Sequence, residues 1–273
     1  SAPRSGRGGR KFESSHPDYK RGYIERYVLF FYPFTPVVSI FTGTFKNLYP
    51  DIQKNRHYMK ITQPRLASTL HEDIDIQTAL EKNDEDLTEY AFKSLRIEGL
   101  KKDNLSVQSC VFANCSFGEC SFRKSQFSDV VFKNCDLSNV NFTGCGFHRV
   151  EFLGCKLMGT NMADGIFNHI TFDECRGEYM NLSMSKLRYI QFIRCNLRGA
   201  GIEGCQLTSV AFEACNLIEA EFYRTSLKGI DLSDSEISGI RISSLAGSEL
   251  RGASVSSLQA LDLVRMLGVE IKD

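Results

Sequence analysis

No nucleotide-binding glycine loop, no zinc-type pair of cysteines and no nucleophile elbow occurs in this chain of 273 residues. Those absences remove the common phosphate-binding, metal and hydrolase chemistries and leave no catalytic residue to nominate. The chain also lacks tryptophan and net charge, with 33 basic against 33 acidic residues. The zero conceals an asymmetry: residues 1–58 carry 10 Lys and Arg against 4 Asp and Glu, so the remainder is acidic by 6. Such a split points to two segments of different origin or different partner. The uncharged run over residues 27–45 is broken by Pro33 and Pro36 and holds several polar residues, which makes it a poor membrane span. Five of the six prolines precede Met59. We therefore read residues 1–58 as added or upstream-translated sequence ahead of a start at Met59, with a partner-binding or anchoring arm as the rival reading.

Helical and strand periodicity are missing from the rest, and a period of five replaces them. Of the 28 positions taken every fifth residue from Val107 to Ile242, 27 are Phe, Leu, Ile, Val or Met, and Gly177 is the exception. Two residues before each of these the side chain is small or medium, and the other three positions are mostly polar. All ten cysteines fall at multiples of five, which suits core slots filled by reduced thiols in a cytoplasmic protein better than a disulfide or metal framework. A second period of 20 sorts the chain into columns. Cys115, Cys135, Cys155, Cys175, Cys195 and Cys215 form one, and Phe112, Phe132, Phe152, Phe172, Phe192 and Phe212 form another. Four pentads per coil means four faces, so the 28 pentads make seven coils, a rod of roughly 34 Å at the ~4.8 Å spacing of hydrogen-bonded strands. The expected fold is an all-β solenoid, a right-handed quadrilateral β-helix, followed by a short C-terminal α-helix.

The strings "CDLSNVNFTGCGF", "CNLRGAGIEGCQL" and "TSLKGIDLSDSEI" resemble the pentapeptide-repeat family. Expected boundaries are an extra N-terminal segment (1–58), an N-terminal cap and first irregular coil (59–106), the repeat β-helix (107–245) and a C-terminal capping and dimerisation helix (246–273). In the last segment Ser256 and Gln259 make a capping box, Gly268 suits the helix end and Val269–Ile271 fits a short strand. Leu258, Leu261, Val264, Met266 and Leu267 give more apolar surface than one cap needs and are the candidate dimer contact. The tail "LQALDLVRMLGVEI" and the opening "MKITQPRL" resemble the Qnr group of quinolone-resistance proteins over residues 59–273. The resemblance implies a homodimer without cofactor that binds DNA gyrase and topoisomerase IV through a DNA-like rod and protects them from fluoroquinolones or related toxins, with no direct contact to nucleic acid or membrane. The frame carries no inserted loop between 107 and 242, as in the loop-free members.

Mimicry needs negative charge on one face, because a duplex of that length carries about 20 charges. Candidates for the binding surface are Glu119, Asp136, Glu151, Asp173, Glu174, Glu178, Glu213, Glu219 and Glu221, with Arg149, Lys186, Arg188, Arg194 and Arg198 interspersed. The acidic stretch 66–89, from Glu72 through Asp73, Asp84 and Glu85 to Glu89, reads as a solvated cap or as an extension of that face. His148 and His169, one coil and one residue apart, can lie close on the surface without a carboxylate partner. Gly177 sits where its column wants Leu, so either Met180 fills the gap or the coil is dented beside Tyr179. A pentapeptide scaffold for an unrelated protein, and an immunity factor against a gyrase-directed toxin, are the alternative functions.

Overall fold

The computed structural model describes residues 59–72, 75–82, 86–243, 248–266 and 268–272. They form a parallel β-solenoid. After α1 (Ile76–Lys82), the short strands β1 (Leu87–Thr88), β2 (Ala91–Lys93) and β3 (Arg96–Glu98) open the first coil. Strand β5 (Ser116–Gly118) pairs with β3, and β1 and β2 both pair with β4 (Ser106–Ala113). From β4 the ladder runs through β6 (Gln126–Lys133), β7 (Gly146–Leu153), β8 (Ile166–Asp173), β9 (Lys186–Ile193) and β10 (Gln206–Glu213). Register is a constant 20 residues: Leu87 lies on Val107, Val107 on Phe127, Phe147 on Phe167. Single bridges such as Asp136 to Lys156 and Asn141 to Asn161 continue the ladder on the other two faces. The coil already stands in register at Leu87, ahead of the repeat as the sequence marks it.

Corners recur every five residues. Each residue numbered with a final 4 or 9 from Glu89 to Gly229 has a positive φ. Left-handed backbone costs an L-residue roughly 1–2 kcal/mol, least for Asn, Asp and Gly. Those three types occupy many corners, but Arg149, Tyr179, Met184 and Tyr189 are held there too. The return is a hydrogen bond along the rod: the corner amides of Asn134, Gly154, Glu174 and Arg194 donate to Leu153, Asp173, Ile193 and Glu213, at 2.8 to 2.9 Å. Tertiary bonding thus overrides local preference at the corners that lack a permissive residue.

The inward pair of each pentad builds the core. Rings of Phe92, Phe112, Phe132, Phe152, Phe172, Phe192 and Phe212 stack with centroids 4.8 to 5.1 Å apart. The small slot has its own chemistry. Cys135, Cys155, Cys175, Cys195 and Cys215 donate to the carbonyls of Phe112, Phe132, Phe152, Phe172 and Phe192 in the coil below, at 3.2 to 3.4 Å. Thr160 and Ser185 do the same to Leu137 and Met162. A thiol suits this slot because it is apolar enough to bury and still a weak donor. All ten cysteines are buried and unpaired, and burial pushes Cys110 and Cys205 up to about 11 and Cys145 to about 12.

Both ends are closed. Ile76, Ala79 and Leu80 of α1 are buried against the first coil. At the other end the chain leaves the frame after Ile242 and returns out of step, with Leu227 N donating to Glu249 O, Gly229 N to Gly252 O and Leu232 N to Ser254 O. This partial extra coil is absent from the sequence reading, because an insertion before it breaks the period. Helix α2 (Ser257–Arg265) follows, with the capping box in place. Gln259 serves twice: its Oε1 accepts from Ser256 N, and its Nε2 donates to Leu232 O at 2.8 Å and Ser235 O at 2.6 Å. Residues 269–271 form no strand, a departure from the expected short strand, since no coil edge pairs with them.

Met180 resolves the Gly177 irregularity. A Cβ on Gly177 would stand 2.7 Å from Met180 Sδ and 3.1 Å from Leu197 Cδ2, so the larger neighbour occupies the missing side chain's space. Gly177→Leu is expected to overpack the coil and lower stability by about 1–3 kcal/mol, measured by urea unfolding. Met180→Ala in the same chain should recover most of the loss, and a stabilised single variant would show that the space is empty.

Candidate functional site on the outer surface

The nine acidic candidates divide among three faces. Glu151, Asp173, Glu174 and Glu213 lie on or beside the second halves of β7, β8 and β10, while Glu119, Asp136, Glu178 and Glu219 line the next face and Glu221 the one after. Most have a partner. Asp136 pairs with Lys156 at 3.2 Å, Glu219 with Arg198 at 3.2 Å and Glu221 with Arg241 at 2.8 Å. Arg194 bridges Asp173 at 2.5 Å and Glu174 at 3.1 Å. Glu178 accepts from Asn196, and Glu213 from Gln191. The partners stand 20 to 22 residues from their acids, or 18 for Asn196, one coil away. Reading the sequence down its columns reveals these pairs, a signal that selecting acids one at a time misses. Glu119 and Glu151 are the exceptions among the described residues, and at Glu151 burial first, then the charge of Asp173, pushes the carboxyl up.

A polar cluster lies on the corner column of Ser109, Asp129, Arg149, His169 and Tyr189. Arg149 clasps Asp129 with two bonds of 2.6 Å and also contacts His148 Nε2. Burial pushes Asp129 upward, but the Arg149 hydrogen bonds and the Arg65 amide outweigh it and hold the carboxyl below its ordinary value. The rings of His148 and His169 lie 6.3 Å apart, as their spacing suggested. An extended strap, Met59–His71, runs along this column across the coils. Ala67 N donates to Ser109 Oγ at 2.8 Å, Arg65 N to Asp129 Oδ1 at 2.8 Å and Thr62 N to His169 Nδ1 at 3.2 Å. Leu66 and Leu70 cover Ala91, Val111 and Val131, which explains why outward positions there are apolar. That apolar outward column is the sequence signal of the strap, a feature that the expected N-terminal cap over 59–106 does not contain.

At the far end α2 leaves Leu258 77% exposed, with Leu261, Val264 and Met266 also outside. Leu267 lies outside the described residues, as do Asp73, Asp84 and Glu85. Among the described residues no group of three His, Cys, Asp or Glu is placed to hold a metal, and no helix is long and apolar enough to cross a membrane.

Family models for the pentapeptide repeat match twice, as a repeat region over residues 145–222 and as repeats over 108–145 and 125–164. This stretch is a pentapeptide-repeat segment. Its coils are similar to those of a trypsin-treated form of QnrB1, a plasmid-mediated fluoroquinolone resistance protein, at 20% identity and a TM-score of 0.42 over 69% of this chain and 99% of that one. HetL, involved in heterocyst differentiation regulation in the cyanobacterium Nostoc sp. strain PCC 7120, gives 16% identity and a TM-score of 0.37 over 62% of this chain and 86% of that one. No curated protein matches the sequence.

The strap has a pH-sensitive end. His169 Nδ1 must be unprotonated to accept the Thr62 amide. Burial first, then the charge of Arg149, lowers the pKa of His169 from 6.5, so the folded state favours the neutral ring. That contribution is complete above the unfolded value and is lost as the pH falls through the lower folded value. Asp129 is held low and stays ionised over the same range. Acidification from neutral pH should therefore lower the protection factor of the Thr62 amide, its exchange measured against the intrinsic rate at each pH, before it lowers that of Arg65 or Ala67, as followed by NMR.

Proposed function

We propose that this protein is a dimeric binding rod that engages a type II topoisomerase through its outer surface and shields that enzyme from fluoroquinolones or related toxins. The dimer rests on one observation. Once Gln259 has closed the last coil, α2 still presents Leu258, Leu261, Val264 and Met266 to solvent. Surplus apolar surface of this kind marks an interface. The topoisomerase reading is supported by the order of parts: a capped start, unbroken coils and the tail "LQALDLVRMLGVEI", which resembles the Qnr arrangement. The five acidic candidates held in ion pairs favour a second reading, a scaffold for a different protein partner, because neutralised pairs project little field beyond a Debye length of ~8 Å at physiological salt.

Two measurements test these readings. Leu258→Glu with Leu261→Glu should halve the mass seen by light scattering while leaving the far-ultraviolet spectrum intact. Purified gyrase with ciprofloxacin should show less drug-induced DNA cleavage at micromolar protein. Unchanged cleavage together with unchanged supercoiling would remove the topoisomerase and leave the second reading.

A further inference from the structure

Away from the C-terminal segment, the exposed large apolar side chains of the described surface all lie between residues 158 and 189: Met158, Ile166, Tyr179, Met184 and Tyr189. Three of them share one ridge. Along the stretch 184–189, Ser185 and Leu187 point inward and are buried, while Met184, Lys186, Arg188 and Tyr189 point outward and are exposed. Ile166, 58% exposed, stands directly beneath Lys186 in the ladder.

The two cations of this ridge, like Lys124, Lys133 and Arg176 elsewhere, stand outside the ion pairs that hold most of the rod's arginines; what sets the ridge apart is the exposed apolar side chains around them. Arg149, Arg194, Arg198, Arg224 and Arg241 are each bound to a carboxylate one coil away. Lys186 and Arg188 have no ion-pair or side-chain hydrogen-bond partner among the described residues. Their neighbours in the coil below are Ile166 and Asn168, and in the coil above Gln206 and Thr208, so the column supplies no counter-charge. Asp164, beneath Met184, pairs with neither.

The two apolar anchors at the ends of the ridge are seated. Tyr189 lies flat on His169, with centroids 4.6 Å apart and planes 9° from parallel, and the strap amide of Thr62 holds His169. Met184 leans over Gly204, where a Cβ would stand 2.6 Å from its Sδ. Anchors already fixed lose little conformational freedom on contact. Met, Tyr and Arg are the residues that concentrate in protein interfaces. A nucleic-acid track would instead need cations following successive phosphates, and here two cations sit between apolar side chains.

We propose that the ridge Met184–Tyr189, with Ile166 below it, is a docking site for an acidic, amphipathic protein segment whose carboxylates meet Lys186 and Arg188 and whose apolar residues meet Met184, Ile166 and Tyr189. This site stands whether or not a topoisomerase is the partner of the rod.

The test uses the full chain and two fluorescein-labelled probes, a peptide of repeated Glu-Glu-Leu and a single-stranded oligonucleotide of equal charge, followed by anisotropy. Saturable peptide binding is expected, weakened about tenfold or more by Lys186→Glu with Arg188→Glu, since like charges then face each other. The same charge change placed elsewhere, Lys124→Glu with Lys133→Glu, should leave affinity within twofold (about 0.4 kcal/mol). Thr62→Pro, which removes the amide that holds His169, should weaken the peptide a fewfold through Tyr189 while the unfolding midpoint falls only slightly, as the loss of one partly buried hydrogen bond requires. Absent saturation, equal loss in both charge reversals, tighter oligonucleotide binding, or self-association that the ridge reversal abolishes would each overturn the proposal.

Discussion

Hydrogen bonding of each coil to the next, at a fixed offset of 20 residues, is the constraint on which every other feature rests. It lets each pentad turn a corner through a left-handed residue, because the amide turned out by that corner finds a carbonyl in the coil beside it. It also places like residues on like. Phenylalanines stack on phenylalanines and thiols on thiols because the backbone leaves no other neighbour, and the cost of an ill-fitting residue falls on that column. Gly177 with Met180 shows the local remedy, a small residue yielding space to a large one within the same coil.

The offset governs charge as firmly as packing. In a helix, opposite charges support one another at a spacing of four. In this rod the equivalent spacing is 20 or 21, as in Asp129 with Arg149, Asp136 with Lys156 and Glu203 with Arg224. Exposed pairs contribute little stability individually. Their larger effect is to cancel part of the rod's field locally, since a close pair projects far less than two separate charges.

The regular part of the fold was legible because the periods of five and 20 determine which side chains point in, which residues stack and where corners fall. Phe112 to Phe212 and Cys115 to Cys215 could be placed from their numbers alone. What the sequence leaves unmarked lies where the period fails. The returning segment around Glu249 stacks out of step, and the strap Met59–His71 crosses the coils along the rod, so neither inherits a register. Both left faint traces: apolar outward residues at Ala91, Val111 and Val131 for the strap, and Leu250 and Ala253 spaced as inward residues for the last coil. The acidic candidates were legible as residues but not as a surface, because selecting carboxylates singly ignores the cations stacked above them.

A repetitive rod can distinguish one part of its surface from another only by breaking its own rule. Most outward columns here obey it, carrying polar residues or opposite charges that satisfy one another. The corner column of Asp129, Arg149, His169 and Tyr189 breaks it in a graded way. Its lower members are consumed in holding the strap, and its upper member, Tyr189, is left as a rigid exposed ring beside two cations without counter-charge. The strap therefore does more than cover an apolar face. It holds His169, on which the ring of Tyr189 lies flat, so a contact made near Met59 bears on a surface one coil further along. In a scaffold whose backbone is the same at every level, specificity has to come from such side-chain relays and not from the fold.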